Sequence, residues 1–389
     1  MAPIKTAILG VGLAGLTFHG PFVLALPELF TLVAVLERHP QGPGGKIQAR
    51  FGPEAAQGVK IYNTLDQVLA DPEIELVIVG TPSETHYEFA KKVLEAGKHV
   101  LVDKPITATF EQALELGSLA KSKNLILYPY QNRRWDSDFL ALRALLDLPG
   151  SNPKSLGTLY EFESRFDRYR ATLKGTWKDL AIPANGLVYD LGAHTIDQAL
   201  VLFGRPLSIT AHIENIRGLG HKDVDDQFTI FLHYPPRTPP AGTPSPVKPT
   251  SFTVILRGTI LSVKSSQFRY VIRGTTGTFS KNGVDVQEDQ LKAIAKPSDI
   301  FKDPNHGQEP EEIFGTVENL RGESEVVKSI WPSNIKGDYS GLFKDLASAI
   351  RNGTPQAVKW EESAQVIELI QLAYKSSKEG RTLEVPTRS

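Results

Sequence analysis

The chain has 389 residues, 41% hydrophobic and 22% charged, and its 43 Lys+Arg against 44 Asp+Glu leave a net charge of -1. At roughly 100–200 residues per domain that length calls for two domains. The balanced charge argues against a nucleic-acid footprint or a polybasic membrane patch. Cysteine is absent, so disulfides, zinc–thiolate sites, iron–sulfur clusters and a thiol nucleophile are excluded. The opening Met-Ala-Pro-Ile-Lys carries no basic region ahead of an apolar stretch. No apolar run reaches about 18 residues. The closing Thr387-Arg388-Ser389 matches no address signal. A cytoplasmic protein without membrane spans is the expectation.

Short apolar runs alternate with helical patterns through the first 130 residues. Ile4–Leu9 runs into Gly10, and Leu32–Leu36 into Glu37-Arg38. Leu76–Val79 runs into Gly80-Thr81-Pro82, and His99–Val102 into Asp103-Lys104-Pro105. Leu125–Leu127 runs into Tyr128-Pro129. Helical patterns over Thr64–Leu69, His86–Ala96 and Phe110–Ser122 lie between them, the last opened by a capping box at Thr109-Phe110-Glu111-Gln112. Strand and helix in alternation predict a doubly wound parallel sheet over residues 1–130.

From about residue 155 the predicted strands follow one another with little helix between: Leu159–Phe166, Ile209–Ile216, Phe228–Tyr234, Phe252–Leu256, Ile260–Val263 and Arg269–Arg273. That pattern predicts a large, mostly antiparallel open sheet in an α/β domain over 131–389. One helix, Leu187–Phe203, interrupts it and ends at Gly204. Residues 235–249 hold seven prolines and read as a surface loop, and 285–337 are polar and poorly periodic. Helices are expected over Gly341–Arg351 and Glu361–Lys378. An open sheet leaves a face to cover, so a homo-oligomer, a dimer foremost, is expected.

Gly10-Val11-Gly12-Leu13-Ala14-Gly15 is G-x-G-x-x-G placed directly after the first strand and ahead of a helical segment. There the first glycine permits the turn, the second admits a pyrophosphate to the backbone, and the third packs helix on strand. An acidic residue should follow about 20 residues on, at the end of the second strand. Glu37 stands 22 residues after Gly15. Its carboxylate favours NAD, whereas a guanidinium at Arg38 favours NADP, and the two leave NAD(P) open.

Asp103-Lys104-Pro105 lies at a strand's carboxyl end, where open α/β sheets bind ligands. Its lysine reads either as a surface lysine in a turn or as a site lysine. Asp190 and His194 are four apart on a predicted helix and share a face. Histidine suits proton transfer near neutral pH. A metal reading lacks a third ligand nearby.

In order along the chain, G-x-G-x-x-G, Thr81-Pro82 with His86, Asp-Lys-Pro and Gly-x-x-x-Asp-x-Gly-x-His resemble the glucose–fructose oxidoreductase/inositol dehydrogenase (Gfo/Idh/MocA) family over nearly the whole length. Asp103 stands where family members more often carry Glu. Gln131-Asn132-Arg133-Arg134-Trp135-Asp136 and Asp285–Lys292 are similar to its scyllo-inositol dehydrogenase-like branch. The resemblance implies a Rossmann domain, an NAD(P)-dependent oxidoreductase of polyols or sugars, and Lys104, Asp190 and His194 as the catalytic set. In it His194 exchanges the proton, Lys104 binds the reacting oxygen, and Asp190 orients a substrate hydroxyl. Gly10, Gly12, Leu13, Ala14, Gly15, Glu37, Arg38, Thr81, Pro82, His86, Asp103 and Lys104 would meet the cofactor. The branch inclines to NADP.

Arginines at 133, 134, 165, 168 and 170 interleave with aromatic residues. They read either as a polyol or sugar-acid site or as partners of nearby carboxylates. Arg134, Trp135 and Arg168 are the candidates for substrate contact. By analogy, helix 361–378 packs toward the first domain. Two other functions remain open on sequence: a dinucleotide-binding sensor or co-regulator without turnover, and an NAD-assisted glycosidase. The intact Lys104, Asp190 and His194 favour an enzyme.

Overall fold

The computed structural model describes residues 2–387 except Pro246 and Glu323. Arg388 and Ser389, in the tripeptide read above for an address signal, lie outside the described residues. The chain falls into two compact units. One comprises Met1–Trp135, Val286–Gly307 and Asp338–Ile367, and the other Asp136–Asp285, Gln308–Gly337 and Glu368–Ser389. No helix among the described residues is long and apolar enough to cross a membrane.

The first unit is built on six strands: β1 (Ile4–Leu9), β2 (Phe30–Leu36), β3 (Lys60–Tyr62), β4 (Leu76–Val79), β5 (His99–Val102) and β6 (Leu127–Pro129). Their order is β3-β2-β1-β4-β5-β6, every pair parallel. This is the Rossmann order, and its reversal lies between β1 and β4. Leu-Val-Ile-Val of β4 is buried at every position, as a strand covered by helices on both faces must be. The Thr109 capping box is present, and the helix it opens is Phe110–Ser122.

One layer of the first unit's core comes from far along the chain. Helix Ser340–Asn352 buries Leu342, Phe343 and Leu346 against Phe22, Phe30 and Tyr130. The Phe343 ring stacks on Phe22 at 5.1 Å and meets Phe30 edge-on at 6.1 Å. Burying each such side chain contributes about 1.5–3 kcal/mol. Of the last long helix, Trp360–Glu379, residues up to Ile367 belong to this unit and the rest to the other.

The second unit carries nine strands: β7 (Leu159–Arg165), β8 (Ser208–Glu214), β9 (Gln227–Tyr234), β10 (Phe252–Thr259), β11 (Phe268–Gly274), β12 (Gly277–Asn282), β13 (Gly315–Arg321), β14 (Glu325–Trp331) and β15 (Leu383–Glu384). Their order is β14-β13-β12-β11-β7-β10-β9-β8-β15, with β7 and β10 parallel and every other pair antiparallel. Residues of β9 and β10 alternate buried and half-buried, the period of a strand with one covered face.

The predicted strand over Ile260–Val263 does not form. Only Leu261 bridges, to Tyr169, and Val263 is 82% exposed. Conversely, β13 and β14 arise inside the stretch that reads as aperiodic. Beneath the sheet Arg269 Nε donates to Asp138 Oδ2 at 2.8 Å, with both side chains fully buried.

Candidate functional site

The carboxyl ends of β1, β4, β5 and β6 are laced in register. Gly80 N–H donates to the Leu9 carbonyl, Asp103 N–H to Val79 and Tyr130 N–H to Val102, all within 2.9 Å. The residues following these strands are therefore set side by side.

The three glycines of the loop differ in what surrounds them. Gly10 has φ +90°, and a Cβ there would lie 2.7 Å from the Gly80 carbonyl oxygen. A Cβ on Gly15 would run into the Gly10 carbonyl oxygen. A Cβ on Gly12 would meet nothing within 4 Å. Two glycines are thus required by the fold, and the third serves the open side of the loop, as a pyrophosphate cradle requires. Beyond them Ala14–His19 winds as a π-helix, with Gly20 N–H donating to the Gly15 carbonyl, before α-helix Gly20–Ala25 takes over. Leu13 stands 60% exposed at the tip of the loop. These residues fit a bound dinucleotide.

Glu37 is buried, and its Oε2 accepts the Lys46 N–H at 3.0 Å. Gly45, at φ +53°, is the residue that leaves room for that carboxylate. Arg38 is exposed. Thr81 Oγ1 and Thr85 Oγ1 are 2.5 Å apart. The His86 ring is a strut: Nδ1 lies 2.7 Å from the Pro105 carbonyl oxygen and Nε2 2.9 Å from that of Thr81. It joins the Thr81-Pro82 turn to the Lys104-Pro105 turn, whose peptide bond is cis. Both ring nitrogens of His86, a residue expected to meet the cofactor, are turned to backbone.

Lys104 N–H donates to Asp103 Oδ1 at 2.7 Å. Burial works to raise the Asp103 carboxyl, but His19, then His86 and Lys104, outweigh it and hold the group below its ordinary value. His19 escapes the sequence reading. It is fully buried, its Nε2 lies 3.7 Å from Asp103 Oδ2, and its ring meets Tyr130 edge-on at 4.5 Å. The signal for it was its position four residues beyond Gly15, on the helix the loop opens.

In the second unit, Val188–Gly192 is also π-wound and passes into α-helix Ala193–Phe203 at Ala193. Asp190 lies on the π segment and His194 in the first α turn, so the single regular helix expected for the pair is two windings in series. Such insertions recur at functional sites. Val188 N–H donates to the buried carboxylate of Asp225, which also accepts from Tyr374 OH. Burial pushes Asp225 up to about 6 against those bonds, and pushes Tyr189 up to about 12. Lys178 Nζ donates to both oxygens of Asp190 at 3.0 Å. His194 is 5% exposed, its ring 6.5 Å from that of Phe166.

Arg134, expected at the substrate, is instead held by Glu362 Oε2 at 2.7 Å and the Ala357 carbonyl. Its neighbour Trp135 lends its carbonyl to Gln287 and to Asp338 N–H, and its indole fills the space beside Gly341. Both are tied into the packing of the first unit. Arg168 is exposed, its guanidinium 5.4 Å over the Phe166 ring. Arg133 and Arg165 pair with Glu288 and Glu163. Among the described residues no group of three or more His, Asp or Glu could hold a metal ion.

Two family models match the chain: "Oxidoreductase family, NAD-binding Rossmann fold" over residues 4–131 and "Oxidoreductase family, C-terminal alpha/beta domain" over 153–385. An uncharacterized oxidoreductase of Schizosaccharomyces pombe is 40% identical over 392 residues, 98% of this chain and 99% of the relative. The scyllo-inositol 2-dehydrogenase (NADP(+)) IolW of Bacillus subtilis is 35% identical over 380 residues, 98% of this chain and 95% of the relative. Among solved structures, the YvaA oxidoreductase of Bacillus subtilis superposes with a TM-score of 0.83 at 32% identity, covering 99% of each chain.

Proposed function

The chain belongs to the Gfo/Idh/MocA oxidoreductase family, and from that premise we propose that it transfers a hydride between a nicotinamide and a carbinol or carbonyl carbon of a polyol, sugar or sugar derivative. A nicotinamide held by the Rossmann unit would supply the hydride acceptor for oxidation of the carbinol and the hydride donor for reduction of the carbonyl. Gly12 admits the pyrophosphate to the backbone of the loop that Gly10 and Gly15 shape. Lys104, whose backbone N–H is held by Asp103, hydrogen-bonds the reacting oxygen through its ammonium. His194 takes the hydroxyl proton in oxidation and returns it in reduction. Asp190 accepts a substrate hydroxyl. Arg134 and Trp135 are left out of the substrate set, because their polar groups hold the first unit together.

The observation that carries this reading is the Asp190–His194 segment. An acid–base imidazole follows, within one turn, a carboxylate whose position is set by Lys178. The NADP-dependent scyllo-inositol dehydrogenase among the relatives supports a polyol and NADP; the Glu37 carboxylate supports NAD. The test is a panel of polyols, aldoses and sugar acids offered with NAD and with NADP, read at the absorbance of the reduced nicotinamide. Turnover of at least one polyol or sugar compound is expected. No turnover with any compound and either cofactor counts against the substrate class.

We also propose a homodimer through the face of the nine-stranded sheet where Val326 and Ile330 of β14 are 66% and 63% exposed beside Leu320 of β13. Sedimentation at micromolar concentration tests it, and a monomer refutes it.

A further inference from the structure

The second unit contains a cleft of about 40 Å³ lined by Arg170, Lys174, Lys178, Asp190, Arg217 and Asp226, among others. A single water needs roughly 10–15 Å³, so the space suits a group of a few heavy atoms and is too small for a sugar ring. Four cations and four carboxylates line it, but they are not all paired with one another. Lys178 is bound to Asp190, and Arg217 Nε to Asp226 Oδ2 at 2.7 Å. Asp179, also on the wall, accepts the N–H groups of Gly175 and Thr176. Asp225, on the wall as well, accepts from Val188 N–H and Tyr374 OH, so each carboxylate is already engaged.

Arg170 and Lys174 are different. Neither side chain has an ion pair among the described residues, and Arg170 Nε is buried without a hydrogen-bond partner. A buried donor left unmet costs more than a hydrogen bond returns, unless a ligand meets it. The electrostatics agree with the geometry. Burial, then repulsion from Arg217, lowers Arg170 against the pull of Asp179. Burial, then repulsion from Lys178, lowers Lys174 against the pull of Asp190, although the residue as a whole is exposed. Asp179 and Asp190 attract Arg170, and Asp190 attracts Lys174, but neither cation forms an ion pair with them, so an incoming oxyanion would still find both available.

We propose that this cleft binds the carboxylate of a polyhydroxy acid, with Arg170 and Lys174 as its partners, so that sugar acids are preferred over neutral polyols. A guanidinium presents paired donors to a carboxylate, and the ammonium adds a point charge. The acid's hydroxyl-bearing carbons would then lie beside Asp190, on the same wall. The inference rests on the reading of Asp190 as a substrate contact.

The test is calorimetric titration of the full-length protein with gluconate, galactonate and mannonate, with the matching alditols, and with glucose 6-phosphate, with and without saturating NADPH. At least one acid should bind tenfold or more tightly than its alditol, and the preference should shrink as salt rises. Arg170→Gln and Lys174→Gln should each cut the acid-over-alditol ratio several-fold while the thermal midpoint stays near wild type. Equal affinity for acids and alditols overturns the proposal. So does a ratio unmoved in both variants. Tighter binding of glucose 6-phosphate than of every acid reassigns the cleft to phosphate and overturns the carboxylate. The hydride-transfer panel separates the two readings. Turnover of neutral polyols without acid preference sinks the cleft alone, and acid binding without any turnover sinks the substrate class alone.

Discussion

Replacing Gly12 and Gly15 by alanine should separate a glycine needed by the ligand from one needed by the fold. At Gly15 the new methyl would run into the Gly10 carbonyl oxygen, a backbone atom that cannot swing aside, and would also lie 3.4 Å from Ile8 Cγ2. Overpacking of this kind costs about 1–3 kcal/mol. At Gly12 the methyl meets no protein atom within 4 Å. Its only effect on the free protein is to restrict the unfolded chain, worth about 0.4–1 kcal/mol in favour of folding. A methyl on the open side of the loop keeps a pyrophosphate from the backbone, and a tenfold weaker dinucleotide corresponds to about 1.4 kcal/mol. Urea unfolding of the cofactor-free proteins and fluorescence titration with NADH and NADPH give both quantities. Gly15→Ala should lose stability. Gly12→Ala should keep or gain it and bind either cofactor at least tenfold more weakly. A Gly12→Ala variant that binds like wild type would refute the cradle.

Arg269→Met strands the Asp138 carboxylate in the core and should cost about 3–5 kcal/mol in urea unfolding, while Asp138→Leu combined with it should recover most of that loss; additive losses would show that the pair does not act as a unit. Asp225 is raised in the folded protein from 3.8 to about 6, so its proton favours the folded state. That contribution, about 3 kcal/mol, is fully present below pH 3.8 and lost as pH rises through about 6, and Asp225→Asn should remove this part of the stability profile. Parallel profiles for the two proteins would contradict it. Glu37→Gln keeps an acceptor for Lys46 N–H and removes the charge, so the NADPH-over-NADH affinity ratio should rise; an unchanged ratio shows that Glu37 acts only on its own loop.

The parts legible in sequence were those whose physics is local. Runs such as Leu76–Val79 and His99–Val102 are buried on both faces and admit little but apolar residues. The glycine loop was legible because its backbone geometry excludes side chains at Gly10 and Gly15. Strand β3 has only three residues, too few for a pattern. Strands β13 and β14 end the nine-stranded sheet, where exposure dilutes the alternation. That helix Ser340–Asn352 joins the first unit could not be read, because an apolar stripe does not name what it packs on. His19 and the Arg170–Lys174 cleft were hidden for a related reason. Asp103 and Arg217, their neighbours in space, lie well away in sequence. The ion pair of Arg134 was hidden as well, because its carboxylate partner, Glu362, lies at the other end of the chain.

In the proposed reaction His194 moves the substrate proton during hydride transfer. That step is tested most directly by the turnover of His194→Ala on the best substrate from the panel, alongside its affinity for the reduced cofactor. A positioned acid–base group contributes about 10²–10⁴ in rate. Turnover should fall by that factor with cofactor binding unchanged, since the glycine loop and Asp103 belong to the other unit. Near-normal turnover in His194→Ala would contradict it.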